Sequence, residues 1–180
     1  MLFVDQSAIG ANTGLSWTDA FTDLQTALAT ARNCQVWVAQ GVYYPTSTAD
    51  RTQAFLLRSG VAVYGGFAGT ETLLSERDWF ANPTVLSGDI DGNDTNKDAN
   101  GIVTNVSDIV GANSYHILVG SAVDDTAVFD GFILNAGQAY GTTLYHSQGA
   151  GVYLTLGNPT LNNLVISANT AGNAGGGIYN

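Results

Sequence analysis

The stretch SGDIDGNDTNKDAN, residues 87–100, is dense in side chains that offer oxygen. Asp89, Asp91, Asn93, Asp94 and Asn96 follow one another at the short spacing that lets a loop wrap a hard cation. Calcium takes about six to eight oxygens in flexible geometry. An EF-hand loop begun at Asp89 places Asp91 and Asn93 correctly. It then has Asp94 where glycine is required and Asn100 where a bidentate Glu is required, and no helices flank it. Two readings stay open: a looser calcium site on Asp89, Asp91, Asn93 and Asp94, or a solvated loop between structural elements. A second group is aromatic. Tyr43, Tyr44, Trp79 and Tyr140 stand near Gly or Pro at expected loop positions, where exposed rings stack on sugars, the alternative being interior packing.

The other reactive side chains do not form a known constellation. His116 and His146 lie thirty residues apart without an acidic or cysteine partner at metal-ligand spacing. They are expected on a strand and in a loop respectively. Asp124 and Asp125 are adjacent and read as turn residues, and Asp130 before Gly131 reads as a turn pair. Cys34, the single cysteine, allows no internal disulfide and reads as a small buried apolar residue. No serine elbow, phosphate loop or CxxC pair is present. The glycines of NAGGGIYN precede no helix that could present its N-terminus to phosphate.

Charge narrows the partners. The 180 residues carry a net charge of −10, with only five basic residues. Phosphate recognition needs clustered Lys and Arg, so nucleic acid is excluded as a partner. No apolar run reaches the roughly 18 residues of a membrane span. The first ten residues, MLFVDQSAIG, lack the basic and long apolar segments of a signal peptide.

Positioning these residues falls to one expected helix and many strands. In SWTDAFTDLQTALATA, 16–31, residues Trp17, Ala20, Phe21, Leu24, Ala27, Leu28 and Ala31 form an apolar stripe at helical spacing. Ser16 with Asp19 reads as its capping-box start. Short strands follow: QVWVAQGVYYP, VAVYGGFAG, TVLSGDIDG, HILVG, TAVFDGFILNAG, GAGVYLTLG, LNNLVISAN and GGGIYN. Gly, Asn and Asp separate them, and two-residue hairpin turns are absent. Val38 and Val63 are 25 residues apart, Val63 and Leu86 23, and Val152 and Ile178 26. Such spacing predicts stacked coils: an all-β solenoid with parallel strands, apolar ladders inside and polar loops inserted at 87–113 and 138–148. A β-sandwich would show long alternating strands joined by hairpins. Residues 1–180 are expected to form one domain, its first coil capped by the 16–31 helix. The last strand, with Gly177, Ile178, Tyr179 and Asn180, is expected to leave an open edge. That edge would take further coils of a longer chain or stack on a second copy.

Several phrases run in the same order as in a known family: FVDQSAIGANTGLSWTDAFTDLQTALATA, VWVAQGVYYPT, GVAVYGGFAGTET, ERDW, PTVLSGDIDGND, NSYHILVG and DGFILNAGQA. Through them the chain resembles right-handed parallel β-helix proteins of the pectin-lyase-like superfamily, and more narrowly the N-terminal region of large bacterial surface or secreted members. ISANTAGNAGGGIYN also resembles the repeat of polymorphic outer-membrane proteins, with Ile166 in place of the usual Phe. The resemblance implies an extracellular or cell-surface protein, structural or adhesive, heading a longer chain or assembling end to end into filaments. It also brings in polysaccharide lyases and hydrolases. Their requirements are missing: no base stands among strand aspartates, and the Asn-Thr-Asp, Gly-His-Gly and Arg-Ile-Lys phrases of polygalacturonases are absent. The expectation is therefore a non-enzymatic module without an obligate cofactor. Carbohydrate binding or processing is the alternative, with neutral sugars favoured by the negative charge.

Overall fold

The computed structural model describes residues 1–180 as short strands, one helix and long connecting segments. The first part of the chain forms β1 (Leu2–Val4), α1 (Leu24–Thr30), β2 (Cys34–Ala39), β3 (Gly41–Tyr43) and β4 (Phe55–Leu56). Then come β5 (Val61–Phe67), β6 (Thr84–Ser87), β7 (Leu118–Ser121), β8 (Val128–Asp130), β9 (Ile133–Asn135) and β10 (Gln138–Ala139). The last are β11 (Val152–Thr155), β12 (Thr160–Asn162), β13 (Val165–Ser167), β14 (Thr170–Ala171) and β15 (Ile178–Tyr179).

All pairings between these strands are parallel. The first sheet runs β1-β2-β5-β8-β12, the second β3-β6-β9-β13 and the third β4-β7-β11-β15, while β10 and β14 form a separate pair. Parallel neighbours cannot be joined by a tight hairpin. Here the chain visits the first, second and third sheets in turn before returning to the first. Three rows of side chains follow from the register. Val36, Val63, Phe129 and Leu161 line the first sheet. Tyr43, Leu86, Leu134 and Ile166 line the second, and Phe55, Leu118, Val152 and Ile178 the third. All but the last member of each row are buried, and the rows meet in one core. Each fully buried side chain of this size stabilises the fold by about 1.5–3 kcal/mol before entropy is subtracted.

Corners between sheets depend on left-handed backbone. Gly131 (φ 85°) and Asn163 (φ 48°) sit one above the other between the first and second sheets. Ala136 (φ 67°) and Ala168 (φ 47°) do the same after the second. For these reasons TAVFDGFILNAG and LNNLVISAN each split into two strands belonging to different sheets.

Three sequence expectations need correction. The helix spans Leu24–Thr30, not 16–31. Asp23 caps it by accepting from the amides of Gln25 and Thr26, while Phe21 is drawn into backbone pairing: its amide donates to Phe3 O and its carbonyl accepts from the Asp5 amide. Trp17 leaves the helical stripe to pack at a tilt against Phe3 and Phe67, at ring separations of 4.7 and 5.5 Å. The apolar period was thus a sum of two destinations. Register also differs. Val152 does oppose Ile178, but Val63 opposes Val36 rather than Val38, and Leu86 lies in another sheet from Val63. Segments of unequal length, 68–83 and 88–117, separate the strands, so a fixed spacing cannot index them. Cys34, finally, is half-buried in β2 against the core rather than enclosed by it. The helix packs on the first strands, touching β1, β2 and β4 and burying Leu24, Ala27 and Leu28.

Candidate functional site

The 88–117 segment after β6 is folded by its own carboxylates. Asp89, only 2% exposed, accepts from the amides of Asn93 (3.0 Å) and Asp94 (3.4 Å) through Oδ1. Its Oδ2 holds Lys97 Nζ at 2.7 Å. Asp94 accepts from the Val110 amide (2.7 Å) and from Asn113 Nδ2 (2.8 Å). Asp91 Oδ2 takes Asn93 Nδ2 and the Ala112 amide, and Asn96 Nδ2 donates to buried Asp108. Burial raises the carboxyl pKa of Asp94, and the hydrogen bond to Asp89 raises that of Lys97. The carboxylates of Asp89, Asp91 and Asp94 are thus engaged by amides and by Lys97, and no group of three or more His, Cys, Asp or Glu side chains is placed to hold a metal ion. A lysine ammonium already stands where a cation would neutralise Asp89. The loop reading holds for most of the stretch, since 91–93 and 95–100 are exposed, but Asp89 and Asp94 are buried within it.

The aromatics are scattered. Tyr43 is 4% exposed, its hydroxyl donates to Ala39 O (3.0 Å), and its pKa is pushed far up by burial. It is a core residue, and the expectation of an exposed ring there is wrong. Trp79 is half-buried under the Arg77 guanidinium, 5.0 Å from the ring centre. Tyr140 is exposed, with its hydroxyl 2.7 Å from Thr170 Oγ1. Tyr44, with the edge of Tyr43, lines a cleft of 810 Å³ together with Gln6, Asp23, Gln53 and Leu56, while Trp79 lines a separate one of 500 Å³. Burial, and then Asp89 nearby, raise the pKa of Tyr44. No single surface unites the four rings.

The other singled-out residues have structural partners. Asp130 ends β8 and pairs with Arg77 at 2.9 Å, both side chains about nine-tenths buried, so it is more than a turn residue. Arg77 also donates to Gly65 O and Asp130 O, and Asn163 Nδ2 donates to Asp130 Oδ1. Nothing in the ERDW phrase announces this pair, because its halves are 53 residues apart. Asp124 accepts from Thr126 within an exposed turn, and Asp125 lies in the same turn. His116 is buried just before β7, and His146 lies on the 3₁₀ turn Tyr145–Ser147.

The side of the molecule formed by the last strands is different in kind. β12, β13, β14 and β15 are each the final strand of their sheet, and all four lie on one side. Leu161 and Ile166, which end two of the core rows, are only half-buried, and Ile178, which ends the third, is 47% exposed. Gly177, Tyr179 and Asn180 accompany Ile178 on this edge, Tyr179 stacked on Tyr153 at 5.3 Å. On the opposite side the free edge of β1 is bonded to Gly14 and Phe21, and α1 lies beside β1 and β4. After Asp130 the chain holds no Asp, Glu, Lys or Arg, although its net charge is −10. Exposed strand edges are ordinarily guarded by charge, proline or a covering element, and here four are not.

Comparison of the chain with protein-family models, with curated proteins and with solved structures returns no match.

Proposed function

We propose that this chain is a non-enzymatic, extracellular or cell-surface module of right-handed parallel β-helix type, whose role is structural or adhesive. The cyclic visiting of three parallel sheets supports the solenoid reading, and the resemblance described above supports the surface location. One observation carries the function: four unguarded strand edges and three opened core rows share one charge-free end. Such an end adds strands by backbone pairing, with each apolar row continued by the arriving residue. At the other end residues 14–21 and α1 cover the β1 edge, so addition is assigned to the β12–β15 end. A growing filament of identical units is therefore disfavoured relative to a closed pair of copies, because an open polymer needs two complementary faces. The occupant of the edge is a second copy or further coils of the same type.

Sedimentation velocity over a range of concentrations tests the proposal. The expected result is a concentration-dependent dimer that Ile178→Lys returns to monomer. A chain that stays monomeric throughout overturns self-association. A monomer that cleaves a glycan overturns the structural role as well. The carbohydrate reading retains one favourable observation, the Tyr44 cleft. Loss of neutral-glycan binding in Tyr44→Ala would support it.

A further inference from the structure

A loop of residues 140–148 connects β10 to β11 and closes over the outer face of the third sheet, where Val119 and Tyr153 are buried together. Its tip, Tyr145–Ser147, inserts two rings. Tyr145 lies 4.8 Å from Tyr153 and 4.6 Å from His116, and His146 stacks on Tyr115 at 4.5 Å. Tyr115 is in turn covered by the Arg51 guanidinium, 4.4 Å from its ring centre. His116, 1% exposed, is enclosed by Tyr145, His146 and Tyr153. Its Nδ1 is 3.1 Å from Gly149 O, a carbonyl that only accepts, so the neutral ring carries its proton on Nδ1. Nε2 is buried with no partner.

We propose that the 140–148 loop is an acid-released clasp on the third sheet, with His116 as its trigger. A proton arriving at Nε2 creates a buried cation at an atom that has no hydrogen-bond partner, with only the backbone carbonyls of Gly149 and Gln148 beside the ring to favour it. The groups facing it are Tyr145 and His146 from the loop and Tyr153 from β11, with Arg51 beyond Tyr115. None is a carboxylate, and neither β7, β11 nor the loop contains Asp or Glu. His146 adds like charge when it too is protonated. Burial accordingly lowers the His116 pKa, with the nearby His146 acting in the same sense. Moving the loop away is the direct route by which water reaches Nε2, and it bares the face of Tyr153 that Tyr145 covers. A proton is the only reactant, and it returns to solvent on neutralisation.

Hydrogen exchange of the 140–148 amides, corrected for the intrinsic pH dependence, tests this at pH 7.5 and pH 5. Exchange is expected to accelerate about tenfold on acidification, as local opening becomes more populated. His116→Phe, which keeps a ring in the site, should abolish the acceleration, and His146→Gln should retain it. His116 imidazole shifts in the unmodified chain provide a readout that does not depend on any variant folding. Their midpoint should lie below the ordinary value of 6.5 and coincide with loop opening. An unaltered exchange rate at pH 5, or equal acceleration in His116→Phe, overturns the clasp. So does a His116 midpoint above 6.5, which would mean that the tyrosine rings hold the imidazolium in place by cation–π attraction.

Discussion

Arg77 meets Asp130 at 2.9 Å with side chains 9% and 10% exposed. Removing one member of such a pair leaves the other as an uncompensated buried charge. Arg77→Met should therefore destabilise the chain by about 3–5 kcal/mol in urea unfolding, whereas replacing both members should cost much less. Lys97 is more open than Asp89, so Lys97→Met should cost less, about 2 kcal/mol. Since the loop oxygens are already engaged, the melting temperature should be the same in calcium and in EDTA. A rise with calcium would mean that the loop rearranges into a cage. Asp94 adds a pH dependence of definite sign. Its folded pKa is raised, so its contribution is fully present below the unfolded value of 3.8 and lost as pH rises through the folded value. Urea unfolding of Asp94→Asn over that interval should show a smaller loss of stability with rising pH. The sequence displayed the oxygens of 87–100 but not their fate. A lysine eight residues from Asp89 and amides beyond residue 109 close the shell, and such partners are visible only once the loop is folded.

At the scale of elements, α1 shows where periodicity misleads. Its core-facing residues Leu24, Ala27 and Leu28 were legible at helical spacing, but Trp17 and Phe21 share that spacing for other reasons. Asp23 fixes the start by accepting from two amides and from Thr26 Oγ1 at 2.8 Å. Asp23→Ala should cost about 1 kcal/mol, lowering the melting temperature by roughly 2–4 °C for a chain of this size. The short strands were legible from their β-branched and aromatic runs. Their division between sheets was less so, because Ala136 and Ala168 turn corners in the left-handed region without the glycine that ordinarily marks one. Tyr43 departs from its sequence context for a similar reason: Gly41 and Pro45 are loop signals, yet β3 carries its ring into the core and its hydroxyl donates to Ala39 O.

For the whole molecule, β-rich parallel architecture was readable from many short, glycine-punctuated runs without hairpin turns. The register was not, since inserted segments make each return to the first sheet a different length. The sequence points to an edge around Gly177–Asn180, and β15 is the last strand of its sheet there. The extent of that edge was not readable: it comprises β12, β13, β14 and β15 together, and its contrast with the covered β1 edge depends on Phe21 bonding back to Phe3. The central claim is that this end is a strand-accepting surface. Hydrogen exchange of the amides from 160 to 179, compared between dilute and concentrated chain at neutral pH, tests it most directly. The account predicts protection that grows with concentration there while the β1 edge stays unchanged. Exchange at 160–179 that is independent of concentration, or protection appearing at β1 instead, would contradict it.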